Sequence, residues 1–182
     1  MRFGPITVKD RNGREVVLRN AELSDAEDLI KYLKITTKET PYLIREPEEV
    51  TLTVEQEKSF LQSVIDDDRS LLLIATVEGK HVGNCSLMSV GRYKRYRHRC
   101  DVAIALYQEY CGTGIGSLML NTVFNVAKEN GYEQAELEVI ADNKNAIELY
   151  KKLGFEEYGR FPDNMKYPDG TYADAYWMMK KL

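Results

Sequence analysis

The chain has 182 residues, of which 43% are hydrophobic and 30% are charged, the balance of one soluble globular domain and not of a disordered protein. Its formal net charge of −4 argues against bulk nucleic-acid binding and favours small cationic partners. No apolar run approaches the ~18 residues of a membrane helix, and the N-terminus lacks the apolar stretch of a secretory signal, so we expect a cytoplasmic protein.

The first predicted elements are a β-hairpin and a helix. Asn12-Gly13 lies between two runs of strand-forming residues, 6–8 and 16–18, and is typical of a type I′ hairpin turn. Ser24 with Glu27 predicts a capping box that opens the helix. The predicted inner face of this helix comprises Ala26, Leu29, Ile30 and Leu33.

A second helix and two strands are predicted next. Thr53 with Gln56 predicts another capping box at the start of the helix. Its apolar face comprises Phe60, Leu61, Val64 and Ile65. The apolar run Leu71–Val77 has the length of a buried strand, and a turn at Glu78-Gly79 leads into a second strand over residues 81–90.

Residues 92–99 form a basic segment with interleaved tyrosines, in contrast to the acidic average of the chain. Basic side chains beside aromatic rings can bind single-stranded nucleic acid or a phosphate group. Charge runs usually face water, so we interpret the segment as a solvated connection between strands and expect no nucleic-acid partner.

Strands and helices alternate in the second half of the chain. A strand over residues 100–107 precedes a glycine cluster and an amphipathic helix over Ile115–Val126, with Gly131 as its C-cap. The remaining elements are a strand at Gln134–Ile140, a helix at 144–153 and strands near 155–161 and 173–179. This order predicts an α/β (α+β) fold in a single domain, residues 1–182, with a mixed, mostly antiparallel sheet of about seven strands flanked by about four helices.

Three glycines, Gly112, Gly114 and Gly116, stand between a strand and a helix. Glycines let the backbone approach a ligand closely, and the free N–H groups of a helix N-terminus attract anions, so we expect a phosphate-bearing ligand. The Walker loop is excluded because no Gly-Lys-Ser/Thr is present. The dinucleotide fingerprint fits poorly because Ser117 takes the place of its third glycine.

The loop resembles the coenzyme-A loop of the GCN5-related N-acetyltransferase (GNAT) superfamily, Arg/Gln-x-x-Gly-x-Gly/Ala, through Gly114 and Gly116, with Cys111 in place of Arg or Gln. The resemblance implies that the loop backbone holds the pyrophosphate of acetyl-CoA and that a strand edge hydrogen-bonds the pantetheine arm as an added strand. The residues so implied are Gly112, Thr113, Gly114, Ile115, Gly116 and Ser117 in the loop and Ile104, Ala105 and Leu106 in the strand.

The second signature of the superfamily is Asn-x-x-Ala-x-x-Leu-Tyr-x-x-x-Gly-Phe, and the chain matches it at every position. The matching residues are Asn143, Ala146, Leu149, Tyr150, Gly154 and Phe155. The resemblance implies that Asn143 contacts acetyl-CoA and that Tyr150 is the acid that protonates the departing thiolate. Tyr150 is also compatible with simple core packing beside Ala146 and Leu153.

Acetyl transfer to an amine requires a group that accepts the proton of the ammonium. Glu138 stands five residues before Asn143, the spacing of the proton-accepting glutamate in the ribosomal-protein N-terminal acetyltransferases that the chain resembles. Asp101, on the neighbouring predicted strand, is the alternative, and each carboxylate is equally compatible with a solvated position. A backbone N–H near Leu106 is expected to hold the thioester oxygen.

The sequence therefore predicts an acetyl-CoA-dependent N-acetyltransferase in which an amine attacks directly and no metal takes part. The three cysteines, an odd number without CxxC spacing, suggest neither a disulfide framework nor a zinc site. A non-catalytic acyl-CoA-binding sensor on the same fold is the alternative. The acceptor, a protein N-terminus or a small amine, stays open, as does the formation of a homodimer.

Overall fold

The computed structural model describes all residues from Met1 to Leu182. Its strands are β1 (Ile6–Lys9), β2 (Glu15–Asn20), β3 (Leu71–Val77), β4 (Lys80–Ser89), β5 (Arg99–Leu106), β6 (Gln134–Ile140), β7 (Glu156–Lys166) and β8 (Tyr172–Lys181). Its helices are α1 (Ala26–Glu39), α2 (Val54–Asp66), α3 (Ile115–Glu129) and α4 (Lys144–Lys152). The strands form one sheet in the order β1-β2-β3-β4-β5-β6-β8-β7. The predicted mixed α/β fold is confirmed, with eight strands in place of about seven.

Strands β5 and β6 are the one parallel pair in the sheet, and α3 provides the crossover between them. They pair only from Arg99 opposite Gln134 to Asp101 opposite Glu136. Both strands continue beyond these residues without pairing to each other. A wedge-shaped gap, here called the β5–β6 cleft, therefore opens between residues 102–106 and 137–140.

Different helices cover the two faces of the sheet. Helices α3 and α4 pack on one face over the main core, whose fully buried members include Ile115, Met119, Leu120 and Val123. Helices α1 and α2 pack on the other face, where Leu29 and Leu61 contact Leu72 and Ile74 of β3. Strand β3 is apolar except for Thr76, because both of its faces are buried.

The first hairpin differs from the predicted type I′ turn. A five-residue turn, residues 10–14, joins β1 to β2. Of Asn12 and Gly13 only Gly13 has a positive φ, whereas a type I′ turn requires it at both positions. Asp10 accounts for the longer turn, because its Oδ1 accepts the backbone N–H groups of Asn12 and Arg14, each at 2.9 Å.

Two expectations for the helices on the second face are also wrong. Ser24 and Glu27 form no capping box; Glu22, in extended conformation, forms one with Asp25 and opens a 3-10 turn directly before α1. Phe60 is 45% exposed because the residue after it faces the sheet, and adjacent helical side chains point about 100° apart. The capping box predicted for α2 is confirmed.

The basic segment 92–99 forms a solvent-facing connection between β4 and β5, as predicted, and Tyr93 within it is 80% exposed. It lies at the N-terminal end of β5, whereas the β5–β6 cleft opens at the C-terminal end. None of the helices is both long and apolar enough to span a membrane.

Candidate active site

The glycine loop, residues 112–116, follows β5 and leads into α3. Gly112 and Gly114 have φ values of 77° and 92°, in the left-handed region that glycine adopts without strain. Gly114 is the N-cap of α3, and the first helical hydrogen bond runs from the N–H of Leu118 to its carbonyl oxygen (3.1 Å). The amides of residues 115–117 precede this bond, so they have no partner within the helix and can bind an anion.

The start of α3 lies against β5, one wall of the β5–β6 cleft, and against α4. A Cβ placed on Gly116 would lie 3.5 Å from Leu149 of α4, and 3.6 and 3.8 Å from Leu106 and Ile104 of β5. These contacts place the anion-binding amides at the mouth of the cleft. The edge of β5 that faces the cleft, which includes Ala105, has no strand partner, so its backbone groups can pair with an extended ligand.

Several side chains near the loop are engaged within the protein. Ile115 is fully buried in the main core, and the Thr113 hydroxyl donates to the carbonyl oxygen of Tyr110 (2.6 Å). Ser117 is half-buried in the first turn of α3. Partial burial raises the pKa of the Cys111 thiol, which disfavours a nucleophilic thiolate there. The backbone of this loop, more than its side chains, is therefore available for contacts with a ligand.

Asn143 lies at the start of α4, just past the C-terminal end of β6. Its Oδ1 accepts the N–H of Ala146 (3.3 Å), so this side chain is the N-cap of the helix and not part of its face. The loop between α1 and α2 reaches the same place, where the Tyr42 hydroxyl donates to the carbonyl oxygen of Asp142 (3.3 Å). The sequence pattern gave no signal for this contact of Tyr42.

Tyr150 of α4 belongs to the main core, with 7% of its surface exposed and its ring 5.7 Å from the ring of Phe155. Burial, together with Cys85 and Asp101, raises the pKa of its phenol well above the ordinary value. The hydroxyl is protonated at neutral pH, as a free phenol also is, and the raised pKa makes it a weaker acid than a free phenol. The structure thus shows the core packing of Tyr150, and its role as the acid remains a prediction.

Asp101 marks the closed end of the cleft, because it is the last residue of β5 that pairs with β6. Solvent reaches its side chain, but the neighbouring atoms desolvate its carboxylate. This desolvation, with Glu136 and Glu138 on the same sheet face, raises the pKa of Asp101 to about 6. The carboxylate can thus accept a proton near neutral pH.

Glu136 lies beside Asp101, but its pKa is shifted in the opposite direction. Burial alone would raise the pKa of Glu136, but hydrogen bonds from Arg99 and Gln134 outweigh burial and lower it. Arg99 forms a two-point ion pair with this carboxylate, in which Nη2 lies 2.6 Å from Oε2. Glu136 therefore remains ionised and contributes negative charge next to Asp101.

Glu138 is exposed, and its two oxygens are both occupied. Oε2 accepts the indole N–H of Trp177 on β8 (2.8 Å), and Oε1 accepts the amide of Asn164 on β7 (2.9 Å). Asn164 lies in a register shift of β7, next to Asp163 with a φ of 51°. Such irregularities re-aim side chains at the edges of sheets. Two strands distant in sequence thus hold this carboxylate in place.

The indole of Trp177 is itself held on the sheet surface. It lies between Tyr158 and Phe161, with ring centroids 6.3 and 5.7 Å away. A Cβ on Gly159 would lie 2.9 Å from the indole, so the glycine leaves the space that the ring occupies. Neither Trp177 nor Asn164 was identified from the sequence, because their relation to Glu138 depends on strand pairing.

Comparisons with known proteins identify the family and the fold. A model of the Acetyltransferase (GNAT) family matches residues 33–155. The N-alpha-acetyltransferase of Sulfurisphaera tokodaii is 31% identical over 174 residues, which cover 94% of this chain and 96% of that protein. The acetyltransferase of GNAT family from Streptococcus pneumoniae has a TM-score of 0.87 at 29% identity, over 92% of this chain and 100% of that one. A GNAT superfamily phosphinothricin acetyltransferase from Sinorhizobium meliloti, solved in complex with acetyl-CoA, shares the fold, with a TM-score of 0.80 at 19% identity, over 92% of this chain and 88% of that chain.

Proposed function

Because the chain belongs to the acetyltransferase (GNAT) family and is an N-acetyltransferase, we propose that it transfers the acetyl group of acetyl-CoA to the α-amino group of a polypeptide. The observation that carries this proposal is the β5–β6 cleft, with the free N-terminal amides of α3 at its mouth and the Asp101 carboxylate at its closed end. The α-amino acceptor is supported by the likeness to the N-alpha-acetyltransferase of Sulfurisphaera tokodaii over 94% of the chain.

The coenzyme is proposed to lie along β5. Its pyrophosphate accepts hydrogen bonds from the amides of the glycine loop, residues 112–116, and its pantetheine arm pairs with the unpaired edge at residues 104–106. The Asn143 amide nitrogen, which the N-cap bond leaves free, is available to the acetyl end. The thioester then lies near Asp101 and Tyr150.

Asp101 is proposed as the proton acceptor. A general base works best when its pKa lies near the working pH, and the pKa of Asp101 is raised to about 6. Glu138 is the weaker candidate, because both of its oxygens already accept hydrogen bonds from Trp177 and Asn164. Its role in the proposal is a fixed negative charge that attracts the ammonium form of the acceptor.

The reaction proceeds by direct attack. Asp101 takes the proton of the ammonium, and the neutral nitrogen bonds to the thioester carbon. The carbonyl oxygen becomes an oxyanion, held by a backbone N–H near Leu106. The carbon–sulfur bond then breaks as the Tyr150 hydroxyl donates its proton to the departing thiolate. The Tyr150 phenolate takes the remaining extra proton from the nitrogen, which leaves a neutral amide, and Asp101 returns its proton to solvent.

The test is thiol release from acetyl-CoA with a panel of amines. The matched acceptors are a peptide with a free α-amine, the same peptide with a blocked N-terminus and an internal Lys, and small amines. The proposal predicts release with the free α-amine alone. Release with small amines alone would contradict the acceptor assignment. Coenzyme binding without release for any amine would favour the non-catalytic acyl-CoA sensor.

A further inference from the structure

We propose that Arg11, in the turn between β1 and β2, is a ligand for the pyrophosphate of the coenzyme. This inference rests on the proposed function, because it concerns the same acetyl-CoA site. Arg11 is 101 residues from Gly112 in the sequence, yet the two are in contact. No coenzyme-binding motif of the sequence includes this hairpin.

The turn places Arg11 directly on the glycine loop. The backbone N–H of Arg11 donates to the carbonyl oxygen of Thr113 (2.9 Å), and its Nη1 reaches the carbonyl oxygen of Gly112 (3.5 Å). Its Cγ and Nε lie 3.0 and 3.3 Å from the position of a Cβ on Gly114. The side chain of Arg11 therefore lies over the N-cap of α3.

This placement puts two positive charges together. The N-terminus of α3 has roughly half a positive charge from the helix dipole, and the Arg11 guanidinium adds a full one. Arg11 is exposed, and no carboxylate forms an ion pair with it. The arginines that form ion pairs are Arg14, Arg19, Arg99 and Arg160. A phosphate between the guanidinium and the loop amides would accept hydrogen bonds from both.

The turn also holds Arg11 in position before any ligand binds. The Asp10 carboxylate accepts the backbone N–H groups of Asn12 and Arg14 and pairs with the Arg14 guanidinium (2.8 Å). The Arg14 guanidinium lies over the ring of Tyr110, 5.1 Å from its centroid. Both ends of the turn are thus fixed, so little backbone entropy is lost when Arg11 binds a phosphate.

The pyrophosphate is the group that this geometry favours. The free amides of residues 115–117 and the side chain of Arg11 flank the same point, Gly114. The 3′-phosphate of coenzyme A belongs to another part of the molecule, and 3′-dephospho-CoA lacks it while it keeps the pyrophosphate. The two phosphate sources can therefore be separated by binding measurements.

The experiment measures binding of CoA and of 3′-dephospho-CoA to the full chain by calorimetry. Arg11→Gln is expected to weaken binding of both ligands roughly tenfold, the loss of one charge-assisted contact at an exposed site. Lys9→Gln is the matched control: it removes the same charge from an exposed residue of β1 that does not contact the loop. Its affinities should change less than twofold.

The outcomes separate this inference from the proposed function. Wild-type protein that does not bind CoA would contradict the proposed function itself. Equal affinities of wild-type protein and Arg11→Gln for CoA would overturn the role of Arg11 alone. If Arg11→Gln bound CoA more weakly than the wild-type protein but bound 3′-dephospho-CoA equally well, Arg11 would be a ligand of the 3′-phosphate, and the pyrophosphate assignment would be overturned. Arg11→Lys, which keeps the charge, should recover part of the affinity and tests the same point should the Gln variant fold poorly.

Discussion

Replacing Asp101 with Asn should change the pH dependence of acetyl transfer. In the wild-type enzyme the bound ammonium gives its proton to a carboxylate whose pKa is about 6. The ammonium of a peptide N-terminus has a pKa of about 8. We therefore expect kcat/KM to be nearly level between pH 6 and 8 and to fall below pH 6, where Asp101 becomes protonated.

The variant has no group that accepts this proton, so only the neutral amine can react. With a pKa of about 8, roughly half of the amine is neutral at pH 8 and about 1% at pH 6, which makes kcat/KM of Asp101→Asn roughly 50-fold lower at pH 6 than at pH 8. Thiol release with a peptide acceptor, measured from pH 5.5 to 8.5, gives both profiles. Glu138→Gln is the matched control and should keep the level region. A kcat/KM of Asp101→Asn that stays level between pH 6 and 8 would refute the assignment of Asp101 as the proton acceptor. A kcat/KM of Glu138→Gln that falls over the same range would instead assign this role to Glu138.

The same substitution should stabilise the protein. Folding raises the pKa of Asp101 from 3.8 to about 6, so the ionised carboxylate destabilises the fold above pH 6 and has no effect below pH 3.8. The full shift corresponds to roughly 3 kcal/mol, and because the side chain is exposed we reduce the expected gain to about 1 kcal/mol. Urea unfolding of Asp101→Asn should show this gain at pH 7.5 and none near pH 4. A less stable variant at pH 7.5 would contradict the desolvation of Asp101.

Three further substitutions test the rest of the site. Tyr150→Phe keeps the packed ring and should lower kcat by ~10²-fold, while the affinity for acetyl-CoA stays within a few-fold of the wild-type value. A variant with the full wild-type kcat would mean that Tyr150 serves only in core packing. Gly114→Asp should weaken CoA binding at least tenfold in calorimetry, whereas Gly131→Asp, at a left-handed glycine beyond the other end of α3, should not. Trp177→Phe removes the N–H donor to Glu138 and should raise the acceptor KM about fivefold with CoA affinity unchanged; an unaltered KM would make that hydrogen bond irrelevant to the acceptor.

Most of the fold could be predicted because its signals are local. The apolar run of β3, the i, i+3, i+4 stripe of α3 and the capping box of α2 each depend on neighbouring residues, and the structure has all three. The errors occurred where two local signals compete. Asn12-Gly13 is a strong hairpin signal, but Asp10 binds the backbone two and four residues later and produces a longer turn.

The candidate site was predictable only in part, because a motif identifies residues and not their partners. The glycine loop and Tyr150 were identified from motif spacing. In the structure, Gly116 at the start of α3 lies beside Ile104 and Leu106 of β5, and Tyr150 lies in the main core. The cleft itself has no local signal: it exists because β5 and β6 stop pairing after Asp101 and Glu136. Arg11 was missed for the same reason, since its contact with the glycine loop joins the first hairpin to the middle of the chain.

The carboxylates of Asp101 and Glu138 differ in their hydrogen-bond partners, and this difference bears on which of them can accept a proton. Asp101 and Glu138 lie on neighbouring strands and face the same side of the sheet, and from the sequence Glu138 was the first candidate and Asp101 the alternative. Glu138 receives two donors from β7 and β8, which fix its position. Asp101 receives no such donor and lies beside two other carboxylates, so its proton affinity rises. A pair of carboxyl groups whose environments differ in this way can divide the work, one accepting the proton while the other holds the charge that attracts the amine.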